Sequence, residues 1–70
     1  MKHTYNKIKS DDKTILVRLG SDLDGTIIVD AEDTNTGKYK EYFFTSDEVK
    51  EAGIMFHTLV REFFSRKVPV

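Results

Sequence analysis

The sequence has no cysteine, no tryptophan and a single proline, Pro69, in its 70 residues. Without cysteine there is no disulfide and no thiolate metal site. Because proline is confined to position 69, no ring interrupts a helix or strand upstream of it. Glycine occurs four times, so the positions that tolerate a left-handed backbone are few. No apolar run approaches the roughly 20 residues of a membrane span. The segment Met1–Lys9 lacks the apolar stretch of a secretory signal. Neither sign of charge is in surplus: eleven Lys and Arg stand against twelve Asp and Glu, a net of −1. Global attraction to a phosphate backbone is therefore absent, which counts against nucleic acid as a partner but leaves room for a local basic face. There is no glycine-rich phosphate loop, and no serine has a plausible His/Asp relay. These absences predict a cytoplasmic non-enzyme with no cofactor, no metal and no membrane partner.

What is present is concentrated near the C-terminus. From Phe44 to about Lys67 the residues Val49, Ala52, Phe56, Leu59, Val60 and Phe63 recur at helical spacing. At about 100° per residue they form one apolar stripe. Thr45 fits an N-cap, and Glu48 three residues later completes a capping box, with Phe44 and Val49 as a hydrophobic staple. Asp47 and Glu48 suit the positive end of the helix dipole, and Arg61, Arg66 and Lys67 the negative end. Pro69 places the stop near Lys67. Gly53, on the edge of the stripe, is expected to mark a close approach to a strand. Ile54, Met55 and Phe64 fall outside the stripe or at its rim, as scattered surface residues or as a second contact.

Upstream, the pattern is of strands. Thr14–Leu19 alternates, with Ile15, Val17 and Leu19 on one side. Gly20–Gly25 reads as a turn, with Asp24-Gly25 a typical hairpin pair. Thr26–Ala31 is the next strand, Asp33–Gly37 a turn, and Lys38–Phe44 a strand with Tyr42 and Phe44 toward the helix. His3–Lys9 reads either as a lysine-protected edge strand with a turn at Ser10–Asp12 or as a solvated terminus. Connections this short force antiparallel neighbours. The predicted architecture is α+β: an antiparallel three- to four-stranded meander, then one long C-terminal amphipathic helix packed on one sheet face. Residues 1–70 make a single domain, with 1–13 edge strand or disordered, 14–44 meander and 45–67 helix.

Asp22-Leu23-Asp24-Gly25-Thr26-Ile27 resembles the first signature of the haloacid-dehalogenase-like phosphohydrolases. That resemblance would make Asp22 a phosphoryl-accepting nucleophile and Asp24 an acid/base. It covers six residues. The family needs a wound parallel sheet with helical crossovers, whereas here only strand, turn and strand separate Thr26 from Thr45. A hairpin turn without catalysis is the expectation. Asp22, Asp24, Asp30, Glu32 and Asp33 do not match a calcium-loop spacing and are expected to be solvated turn carboxylates. His57 is expected at the helix rim.

A chain this short buries only about 60% of its unfolded surface, so association is one way to add burial. The far sheet face is expected to carry Leu16, Arg18, Ile28, Tyr39, Glu41 and Phe43. With Ile54 and Met55 these are the candidate partner-binding residues. The function expected is a protein-protein interaction module, an adaptor or inhibitor of a larger protein, self-associating as a homodimer or higher homo-oligomer, of a kind frequent among bacterial and phage proteins. The alternative is a single-stranded nucleic-acid binder. The element order loosely resembles the Pur-like and positive-cofactor-like domains, which dimerise through helices and bind strands on a curved sheet. Tyr5, Lys7, Lys9, Arg18, Lys38 and Lys40 would serve it, with Tyr39 and Phe43 as stacking platforms.

Overall fold

The computed structural model describes residues 1–65. The expected helix end near Lys67, the charges of Arg66 and Lys67 and the stop at Pro69 lie outside the described residues. Four strands, β1 (His3–Lys9), β2 (Ile15–Ser21), β3 (Ile27–Asp33) and β4 (Lys38–Phe44), precede a helix, α1 (Val49–Phe64). The strands pair antiparallel in chain order, β1-β2-β3-β4. The helix lies across one face, mainly on β3 and β2. This is the α+β meander-and-helix architecture that the patterning predicts. Of the two possibilities for the first segment, the edge strand is the one found.

The turns are built by short polar side chains acting on nearby backbone. Between β1 and β2, the Asp12 carboxylate accepts hydrogen bonds from Ser10 Oγ at 2.7 Å and Thr14 Oγ1 at 2.8 Å. Between β2 and β3, Gly25 adopts φ 88° and donates its N–H to Asp22 O at 3.1 Å. Gly37 does the same after β3, with φ 76° and a bond to Asp33 O at 2.8 Å. The expected turn at Gly20–Gly25 is shorter than predicted: Gly20 and Ser21 are strand residues paired to both neighbours. Gly20 is tolerated there because its missing side chain leaves room for Met1, whose Cγ lies 2.7 Å from where a Cβ would stand.

Alternation sends Ile15, Val17, Ile27, Val29 and Ala31 to the helix side, where they meet Ala52, Phe56, Leu59 and Phe63 in one buried cluster. Tyr42 and Phe44 pack at its margin, as do Met55, Val60 and Phe64. Two of the three expected rim residues of the helix therefore belong to the core boundary, and Ile54 alone of them stands out at 58% exposure. Val49, predicted on the buried stripe, is 65% exposed. Its expected staple with Phe44 depended on a helix beginning at Thr45, and the helix begins later. Residues Thr45–Glu48 form a separate turn, with Glu48 N–H donating to Thr45 O at 3.0 Å. Glu48 Oε1 accepts from Thr45 N at 2.8 Å and from Thr45 Oγ1 at 3.1 Å. The reach of Glu48 back to Thr45 is as expected. The hydroxyl, however, donates to Glu48 and does not cap the helix, so the cap position passes to Glu48.

The two internal glycines exchange the roles that the sequence suggests. Gly53 has nothing within 4 Å of a would-be Cβ, so the expected strand approach is absent. Gly20 is the crowded one, closed in by the His3 carbonyl and the Met1 side chain. Gly53→Ala therefore removes backbone entropy from the unfolded chain at no steric cost and should stabilise by about 0.5–1 kcal/mol. Gly20→Ala should destabilise by about 1–3 kcal/mol through overpacking. Urea midpoints of the two variants against the parent check both signs.

Candidate interaction surface

The strand faces turned away from α1 carry three cross-strand rows, fixed by register. One runs Lys9, Leu16, Glu32, Tyr39; the next Lys7, Arg18, Asp30, Glu41; the third Thr4, Gly20, Ile28, Phe43. Directly opposed residues in an antiparallel pair point to the same side. Leu16, Arg18, Ile28, Tyr39, Glu41 and Phe43 are thus brought together as the sequence suggests. Ile54 and Met55 are not: they sit on the helix, across the sheet from the others. Met55 is half-buried against the core.

Exposure divides this far face. Tyr39 is 53% and Phe43 62% exposed, while Ile28 is 5% exposed. Gly20 is the cross-strand partner of Ile28, and Met1 covers the gap that Gly20 leaves. Ile28 is therefore a floor and offers little contact area itself. Tyr39 and Phe43 stand exposed on β4, the edge strand of the sheet, on the face that the helix does not cover.

At the centre Arg18 Nε donates to Asp30 Oδ1 at 3.0 Å and Arg18 Nη2 to Asp30 Oδ2 at 2.9 Å. This is the bidentate fork that fixes a guanidinium in one orientation. The Asp30 side chain is 6% exposed and that of Arg18 35%. The bond to Asp30, set against partial burial, raises the already high Arg18 value further, and Glu32 adds to it. Tyr39 is raised by partial desolvation and then by Glu41. Asp30 and Asp33, expected as solvated turn carboxylates, are buried at 4% and 2%. They lie within β3, and Asp33 Oδ1 accepts the Asn35 N–H at 3.0 Å. Asp24 is a solvated turn residue, held below the ordinary carboxylate range by the Thr26 N–H. Among the described residues no three His, Asp or Glu side chains gather as metal ligands.

The residues of the nucleic-acid alternative fall on two faces. Lys7, Lys9 and Arg18 share the far face. Lys38 and Lys40 point to the helix side, where their Nζ atoms meet Glu62 Oε2 at 2.8 and 2.9 Å. Lys38 Nζ also lies 4.8 Å from the Phe63 ring centroid. Tyr5 turns to the helix side at a bulge between Thr4 and Asn6, its hydroxyl 3.2 Å from Ser21 Oγ. There it lines a half-open apolar hollow of about 380 Å³ with Leu19, Ser21, Ile27, Val49 and Ala52. The sequence reading missed this hollow. A bulge shifts the side-chain alternation by one residue, and simple alternation does not anticipate that. His57 is exposed on the outer helix surface, edge-on to Phe56.

No protein-family model, no curated protein and no solved structure matches this chain. Among the described residues no helix is long and apolar enough to cross a membrane.

Two predictions follow from the charge pairs. Replacing Arg18 with Met leaves a buried carboxylate without its fork, whereas Asp30→Asn leaves a guanidinium that can turn to water. Arg18→Met should cost about 2 kcal/mol and more than Asp30→Asn; urea unfolding of both variants measures this. Glu62 is held below its ordinary value of 4.5, first by the hydrogen bond from Lys38 and then by that from Lys40. A lowered folded-state value contributes stability that is present above the ordinary value and lost as pH falls through the folded one. Glu62→Gln should therefore flatten the fall in stability below about pH 4.5, read from thermal midpoints across that range.

Proposed function

We propose that this chain is a non-catalytic, self-associating protein-interaction module, an adaptor or inhibitor of a larger protein, with the far face of its sheet as a contact surface. The observation that carries this reading is a sheet face that the helix leaves open, with Tyr39 and Phe43 exposed on an edge strand beside a rigid Arg18–Asp30 pair. Aromatic side chains are enriched at interface centres because they bury large area with few torsions to immobilise. The fork supplies a fixed polar centre that needs no reordering on contact.

The single-stranded nucleic-acid alternative has less support. Of its six basic and aromatic residues, three lie on the opposite face, and Lys38, Lys40 and Arg18 are already engaged by carboxylates. Labelled single-stranded DNA should show no retention near physiological salt. Tight binding that falls steeply with added salt would instead favour that alternative.

A photo-crosslinking residue at position 43, compared with one at position 57 on the outer helix surface, tests the main reading in the source cell. A protein product is expected from position 43, lost on Tyr39→Ala, with none from position 57. Equal yields from the two positions, or none from either, would sink it.

A further inference from the structure

We propose that the occupant of the far face is a second copy of this chain, bound face to face about a two-fold axis parallel to the strands, so that β1 of one copy lies over β4 of the other. The inference rests on the far face being an interaction surface and adds the partner and its orientation.

The argument is one of charge placement. On the far face the cations Lys7, Lys9 and Arg18 all come from β1 and β2. The anions Asp30, Glu32 and Glu41 all come from β3 and β4. No cation from β3 or β4 shares this side, because Lys38 and Lys40 alternate to the other one, and β1 and β2 contain no Asp or Glu. Arg18 and Asp30 satisfy each other at the centre. Lys7 and Lys9 are left at one margin, and Glu32 and Glu41 toward the other. The face is therefore a dipole running across the strands, its three cations balanced by its three anions.

Two identical faces can meet about a two-fold axis lying in the plane between them. An axis perpendicular to the strands sets Lys7 over Lys7 and Glu41 over Glu41, which repels. An axis parallel to the strands returns each cross-strand row onto itself reversed. Lys7 then faces Glu41 of the other copy, and this contact occurs twice. In the same arrangement Phe43 faces Thr4 of the other copy, beside the Met1 side chain that covers Gly20. Aligned sheets pack with their strands about 30° apart, which the central fork and the flexible lysines tolerate. Strand spacing and rise give a footprint of about 450 Å² per copy, about 900 Å² in total, which falls in the weak, transient class below about 1,200 Å². The dimer should accordingly be weak, populated toward millimolar concentration, and should weaken further with salt.

Sedimentation equilibrium from micromolar to millimolar concentration tests this with exposed-residue variants that leave the core alone. The parent should dimerise. Lys7→Glu and Glu41→Lys should each raise the dissociation constant at least tenfold, and the double variant K7E/E41K should restore it. Mixing the two single variants should give a heterodimer tighter than either homodimer. A parent that stays monomeric at millimolar concentration overturns the proposal. So does a dimer that neither variant weakens, as edge-to-edge pairing of strands would give. The module reading is judged separately: a monomer whose position 43 still crosslinks a different protein removes the second copy and keeps the face.

Discussion

Everything in this molecule depends on one apolar contact, the seating of Phe56, Leu59 and Phe63 on Ile15, Val17, Val29 and Ala31. At about 25 cal/mol per Å² of apolar surface, this layer is what offsets the ordering of four strands and a helix. No disulfide shares the load, since the chain has no cysteine. The contact is one-sided. A single helix can cover only one face of a four-stranded sheet, and it sits over the middle strands. Both the stability of the fold and the openness of its far face follow from that geometry.

The far face has a different organisation because it has no lid. Its buried members, Ile28 and Asp30, are buried by their own neighbours in the sheet. Ile28 lies among Gly20 and Phe43, and Asp30 lies under the guanidinium of Arg18. The helix side also carries charge, but there Glu62 gathers Lys38 and Lys40 and closes the margin where β4 meets the helix. Separating the lysines of β4 from its acidic and aromatic residues is a direct consequence of strand alternation. That separation leaves Glu41 as the one charged side chain on the far side of β4, between Tyr39 and Phe43, and the far face polarised from one edge to the other.

Much of the fold was legible in the residues. The period of two in Ile15–Leu19 and the period of 3.6 through Phe56, Leu59 and Phe63 reflect burial on one side, a pattern that survives any detail of packing. Gly25 and Gly37 were legible as turns because their positive φ is a local requirement. The helix start was misplaced because Thr45 and Glu48 satisfy a capping pattern and also a tight turn, and only the path of the chain away from β4 selects the turn. The two glycines were misassigned for a similar reason. Whether a missing side chain relieves crowding depends on what lies above it, and for Gly20 that is Met1, 19 positions earlier. Of the candidate surface, the residues on strands came together as read, since alternation alone assigns them to a side. Ile54 and Met55 did not join them, because the helix lies on the other face.

The sequence by itself determined the helix and the three strands before it, their order and which side of each is apolar, while the first segment stayed open between edge strand and solvated terminus. Those are set by local sterics and by the periodicity of burial. The tertiary structure alone decided the register, and with it the pairing of Arg18 with Asp30, the bulge that turns Tyr5 to the helix side, and the division of charge across the far face. Register depends on how residues far apart in the chain come into line, and a slip by one residue sends every side chain of a strand to the opposite face.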